Sequence, residues 1–166
     1  WTGTAPTPTD LQITQRRGVD LNPLDPASPD DQLRLRAYLW ADQPDRLSRT
    51  EAAITVATGT VDTDDVEAWL TRRLAAPLLG TTHMVFHTIA WQYFPEATSK
   101  ACQKLIEEAG ARATTDAPLA WFGMEADGDT ANGAKLMLRL WPGAIHLSLG
   151  RADFHGRWLK WSAETP

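Results

Sequence analysis

Apolar and polar positions change period several times along the chain, and each change marks an element. Residues 11–20, LQITQRRGVD, alternate at Leu11 and Ile13 and reach a glycine near their end, which predicts a strand. Asn22-Pro23 and Asp25-Pro26 follow as turn initiators. Ser28-Pro29-Asp30-Asp31 reads as a helix start. Serine caps, proline takes the first helical position, and the acids meet the positive end of the helix dipole. Leu33, Ala37 and Trp40 then recur at helical spacing. Pro44 interrupts, and RLSRTEAAITVA predicts a second helix closed by Gly59. A short strand ends at Asp62. Asp62 or Thr63 caps a third helix with Val66, Trp69, Leu70 and Leu74 on its buried face.

The second half begins with THMVFHTIAW, a continuous apolar run that suits a strand buried on both faces. Pro95 opens a helix with Leu105, Ile106 and Ala109 inside and Gly110 as its terminator. PLAWFGMEA predicts a strand and DGDTANG a loop. AKLMLRLWP and AIHLSLGRADFHGRWLKW alternate and are joined by a Pro-Gly turn, as an antiparallel hairpin would be. Strands that alternate with helices predict an α/β fold. Its sheet is mostly parallel, covered by helices on both faces, with a C-terminal antiparallel hairpin at its edge. Residues 1–10 form an extended Thr/Pro-rich lead-in, and 11–166 a single domain.

Composition narrows the function classes. A net charge of −5 argues against a nucleic-acid surface built on phosphate contacts. No apolar run approaches a membrane span. The single cysteine, Cys102, allows no internal disulfide, fits a reducing, cytoplasmic compartment, and reads as packing. His83 and His87 have the i, i+4 spacing that binds metal on a helix. In a strand they stand about 13 Å apart, which excludes a shared ion. The chain begins at Trp1 without a signal peptide, which marks it as a piece of a longer or processed protein.

A few residues are candidates for chemistry. Asp20, at a strand's carboxyl end, faces the crevice where parallel sheets bind ligands, or else makes an Asx-turn. Asp62 is a ligand candidate or a helix cap. His87 interrupts an apolar run near a strand end, as a general base or a buried ring with one backbone partner. Trp91 and Tyr93 follow it as an aromatic wall or as core. Asp153 and His155, two apart in the last strand with Trp158 beyond, form either a substrate-facing acid–base pair or part of a bulge at Gly156.

Three stretches, GVDLNP, TVDTDDVEAW and HMVFHTIAWQYF, resemble the second, third and fourth strand ends of the Rossmann-like class I methyltransferases that use S-adenosylmethionine. More closely, RRGVDLNPLDP, FHTIAWQYFP, DAPLAWF and RADFHGRW resemble the bacterial domain of unknown function 2332, from Leu11 to Trp161. The resemblance implies a nucleoside cofactor, S-adenosylmethionine or a relative. Asp20 would take the ribose and Asp62 the adenine, while His87 and Tyr93, as catalytic residues, would face the substrate. It also implies that the first strand and its glycine-rich loop precede Trp1. This chain alone is then expected to be inactive. The place of the missing strand would be taken by that N-terminal segment or by a second copy in a homodimer. On this reading Asp20 and His87 share one cleft. The absent Asn/Asp-Pro-Pro-aromatic signature counts against methylation of a base or amide nitrogen. The alternative is a non-catalytic Rossmann-like binding or structural module that uses its aromatic loop as a contact.

Overall fold

The structure is a computed structural model and describes residues 1–3 and 7–162. The chain divides into two compact units, Leu11–Trp69 and Trp1–Asp10 with Leu70–Pro166. The sequence suggested one domain over 11–166, with the lead-in outside it.

In the first unit, β1 (Arg17–Asp20) and β2 (Thr60–Thr63) pair in parallel, with Val19 opposite Asp62 and Asp20 opposite Thr63. Between them lie α1 (Pro29–Ala37) and α2 (Pro44–Val56). Such a crossover is what parallel pairing requires. The Ser28 hydroxyl accepts from Asp31 N–H, and Pro29 opens α1, as the sequence predicts. The expected strand over 11–20 contracts to four residues, and Leu11 and Ile13 are exposed. Leu33 and Trp40, read from the sequence as recurring at helical spacing, are exposed as well. The cap of α3 (Val66–Arg73) is neither Asp62 nor Thr63. Asp65 Oδ1 accepts from the N–H groups of Glu67 and Ala68 at 2.9 and 3.4 Å.

The second unit is built on a five-stranded sheet in the order β3-β4-β5-β6-β7. These are His83–Thr88, Leu119–Glu125, Ala134–Trp141, Ile145–Ala152 and Leu159–Trp161. Only β3 and β4 are parallel; the other three pairings are antiparallel. The sheet is therefore mixed, where the sequence led us to expect a mostly parallel one. Connection length is the reason. The 16-residue helix α4 (Glu96–Ala111) carries the chain from β3 back to the start of β4. The links after β4, β5 and β6 are short and can only reverse the chain. The last predicted strand is also split, because residues 153–158 form a turn between β6 and β7.

One stripe of α4, at Cys102, Ile106 and Gly110, is buried. Gly110 lies inside the helix and does not terminate it. A Cβ there would stand 2.5 Å from the Trp141 ring, so glycine permits the helix to approach the sheet. A core of Leu136, Leu149 and Ala152, with Phe122, Met124, Leu138, Leu147, Leu159 and Trp161 packed against it, completes the unit. The first residues reach this sheet too. Thr2 bridges Lys160, and the Trp1 and Trp161 rings stack 6.0 Å apart. Among the described residues no helix is long and apolar enough to cross a membrane.

Candidate functional site

Strand register builds the site. His87 on β3, Gly123 on β4 and Met137 on β5 stand in one row across the sheet, with Trp121 opposite Arg139 and Glu125 opposite Lys135. Paired residues project to the same face, so these side chains line one surface. Because β3 and β4 run in parallel, His87 and Glu125 both sit near carboxyl ends, where open α/β sheets bind ligands. Gly123 supplies the room. A Cβ at that position would lie 3.0 Å from His87 Cε1 and 3.2 Å from Nε2.

The centre of the site is a His–Glu pair. His87 Nδ1 and Glu125 Oε1 are 2.7 Å apart, with the two side chains only 15% and 18% exposed. Oε1 also accepts from the N–H groups of Ala90 and Trp91, each at 3.0 Å, and Oε2 accepts from Gln92 N–H at 3.4 Å. Burial alone raises the Glu125 pKa. Hydrogen bonds from His87, Trp91 and Ala90 outweigh it and hold the carboxyl below its ordinary value. An ionised carboxylate can only accept, so Nδ1 carries the proton. The Trp91 ring lies 4.7 Å from the imidazole and the Trp121 ring 6.0 Å.

The backbone that makes this cradle is strained. Ile89, two residues after His87, has φ +51°, in the left-handed region that β-branched residues avoid. Its N–H donates to Met124 O at 2.8 Å, which ties the corner to the end of β4. This corner leads directly into the three amides that meet Glu125. Strain of order 1–3 kcal/mol persists only where surrounding bonds fix it, and such strain clusters at functional sites.

Beside the pair is a groove of about 330 Å³. Trp121, Gly123 and Met137 contribute to its lining with His87 and Glu125, and Gln103, Asp127, Lys135 and Arg139 bring polar groups. Arg139 is held by Glu107 at 2.7 Å and lies over the Trp121 and Trp141 rings, 5.2 and 5.0 Å from their centroids. Asp127 is bound at both oxygens by Arg151, at 2.8 and 3.0 Å.

The residues singled out in the sequence separate. His87 and Trp91 are together. Tyr93, in the same 3-10 turn (Trp91–Tyr93), is 74% exposed. Asp153 and His155 lie in the turn after β6, not in a strand. The buried Asp153 carboxylate accepts from the backbone N–H groups of His155 and Arg157 and from the Arg157 guanidinium. It shapes the turn and makes no dyad with the His155 ring. Asp20 and Asp62 belong to the other unit. Asp20 Oδ1 accepts from Asn22 N–H at 2.8 Å, the Asx-turn alternative, and the residue is exposed at the end of β1. Asp62 does not fit an adenine amino group, because Arg17 grips both its oxygens and Trp69 Nε1–H donates to Oδ2 at 2.8 Å. Among the described residues no three metal-ligating side chains cluster.

Sequence reasoning missed Glu125, Gly123 and Lys135. The signals were in LAWFGME, where alternation puts Trp121, Gly123 and Glu125 on one face. A glycine inside a strand marks a close approach.

A family model described as "Uncharacterized protein conserved in bacteria (DUF2332)" matches residues 1–161. No curated protein and no solved structure matches the chain.

Proposed function

The chain belongs to the DUF2332 family of bacterial proteins, and within it we propose that His87 and Glu125 form the acid–base centre of a methyltransferase-like group-transfer enzyme. The observation that carries this reading is the Glu125 carboxylate, anchored by backbone amides and bonded to His87 Nδ1. Glu125 fixes the tautomer and balances the imidazolium formed when Nε2 takes a proton from a substrate nucleophile. The closeness of Trp91 and Trp121 keeps the ring from turning away. A sulfonium nucleoside of the S-adenosylmethionine type would supply the transferable methyl group. Separately, Asp20 is proposed to bind the ribose of a nucleoside within its own unit. Two parallel strand pairs, each with acids toward its carboxyl end, support a Rossmann-like ancestry; the antiparallel strands β5 to β7 depart from a mostly parallel sheet.

Two measurements on the full-length protein test the reading. Long-range ¹H–¹⁵N spectra at pH 8 should show His87 protonated at Nδ1, and Glu125→Gln should shift the ring toward the Nε2–H form. Equal tautomers in both proteins would dismiss the acid–base centre. Calorimetry should show S-adenosylmethionine or S-adenosylhomocysteine binding, lost in Asp20→Ala and kept in His87→Gln. Absence of heat with either nucleoside removes the cofactor assignment. The exposure of Tyr93 favours the second reading, a binding module whose aromatic loop meets a partner. Under it His87→Gln leaves every function intact.

A further inference from the structure

The groove beside His87 holds two hydrogen-bond donors that the protein itself does not answer. Trp121 on β4 and Arg139 on β5 stand opposite each other across the strands, and both line the groove. Trp121 Nε1 and Arg139 Nε are buried, and neither has a hydrogen-bond partner among the described residues. Arg139 is fixed at its far end. Its Nη1 donates to Glu107 Oε1 at 2.7 Å, and the same oxygen accepts from Gln103 Nε2 at 2.9 Å. The guanidinium carbon lies 5.2 Å from the centroid of the Trp121 ring, so the two donors belong to one spot. Buried N–H groups are nearly always bonded, and an orphaned one bears its full desolvation cost. Two of them together in a groove wall call for an acceptor supplied from outside.

The charges around them do not call for an ion. Arg139 is paired with Glu107 and Arg151 with Asp127, while Lys135 stands opposite the ionised Glu125 across the strands. An anion brought here would share the groove with the Glu125 carboxylate and meet cations that already face a carboxylate. A neutral carbonyl meets the need without adding charge, because its oxygen has two lone pairs, enough for both N–H groups. The remaining wall suits a flat apolar body. Trp121 offers a ring, Gly123 leaves the sheet bare, and Met137 is apolar. A volume of about 330 Å³ lies at the lower end of small-molecule sites, roughly 300–1,000 Å³. Neither nitrogen is open to solvent, so entry of the oxygen displaces part of the wall. Met137, two residues from Arg139 on the same face of β5, is the unbranched side chain suited to give way.

We infer that the groove binds a small, flat, neutral carbonyl compound of the amide type, its oxygen held by Trp121 Nε1–H and Arg139 Nε–H and its body over Gly123 and Met137. On the acid–base reading above, on which this assignment rests for its chemistry, that molecule is the substrate whose nucleophile loses its proton to His87. Carbonyl binding itself does not require that step, and so the two can fail separately.

Benzamide, benzoate and benzamidinium, three planar molecules of nearly one shape, serve as probes on the full-length protein at millimolar concentration. Calorimetry should show benzamide binding roughly tenfold more tightly than benzoate, whose charge must be desolvated. Benzamidinium, which has no acceptor, should not bind. In ¹H–¹⁵N spectra the indole N–H resonance that Trp121→Phe removes should move downfield as benzamide is added. Trp121→Phe keeps a ring and loses the donor, and Arg139→Lys keeps the charge and loses Nε–H. Each should weaken benzamide by roughly fivefold, the loss of one hydrogen bond, with the circular dichroism spectrum unchanged. Benzoate bound as tightly as benzamide, no binding of benzamide, an indole resonance that does not move, or an affinity unaltered in both variants would each overturn the assignment. If benzamide binds as expected while the His87 tautomer is insensitive to Glu125→Gln, the carbonyl site stands and the acid–base reading falls.

Discussion

At the scale of single residues, Gly123 governs the geometry. Glycine inside a strand normally weakens it by roughly 0.5–1 kcal/mol relative to alanine, so Gly123→Ala at an indifferent site would stabilise. Here the added methyl would sit 3.0 Å from a ring that Glu125 and Trp91 hold in place. Overpacking of this kind costs about 1–3 kcal/mol, and the sign reverses. Gly123→Ala should lower stability by about 1 kcal/mol in urea unfolding and shift the His87 Hε1 resonance. A stabilised variant with that resonance unmoved would mean that the ring has room to spare.

Among elements, the turn between β6 and β7 shows how a residue read as chemistry proves structural. Asp153 binds the turn's backbone amides and the Arg157 guanidinium, which holds its carboxyl well below the usual range against the opposing effect of burial. Asp127, gripped by Arg151, is lowered to about 2. A carboxylate depressed in the folded state stabilises above its unfolded value of about 3.9. That contribution is lost as pH falls toward the folded value. Between pH 5 and pH 2 the urea midpoint should therefore fall less steeply in Asp153→Asn than in the parent, and Arg157→Gln should flatten it similarly. Parallel pH profiles in all three proteins would exclude the turn as a source of acid sensitivity. The sequence showed Asp153 and His155 two apart in an alternating run, and alternation alone cannot reveal that a carboxylate folds back on its own amides. The same limit hid Glu125, whose partners, His87 and the amides of Ala90 to Gln92, lie 33 to 38 residues away in sequence. What was legible was local: the α1 cap, the strand character of His83–Thr88, the helix after Pro95 and the β5–β6 hairpin. Strand direction was misread where short links force reversal, because period-2 patterns look alike in parallel and antiparallel sheets.

For the molecule as a whole, the two edges of the five-stranded sheet are unequal. On one side β7 is bridged by Thr2 and carries the stacked Trp1 and Trp161 rings. On the other, among the described residues β3 pairs with β4 alone. Met84 and Phe86 on β3 are 54% and 68% exposed, although the run HMVFHT has the composition of a fully buried strand. Register continues the row of Phe122 on β4 into Phe86, so apolar surface reaches an unpaired edge. Edges of soluble proteins are normally blunted by charge, proline or a bulge, and β3 has none of these along its exposed row. An open edge with apolar side chains promotes pairing with another strand. The 166-residue chain should accordingly self-associate as concentration rises, with sedimentation velocity shifting to larger species. Phe86→Lys places a charge on the exposed row, on the face of the strand opposite His87, and a surface change of this kind alters stability by about 0.5 kcal/mol or less. It should return the chain to monomer with an unchanged circular dichroism spectrum. Association that persists in Phe86→Lys at the same concentrations would show that copies meet elsewhere and that the β3 edge is not the adhesive surface.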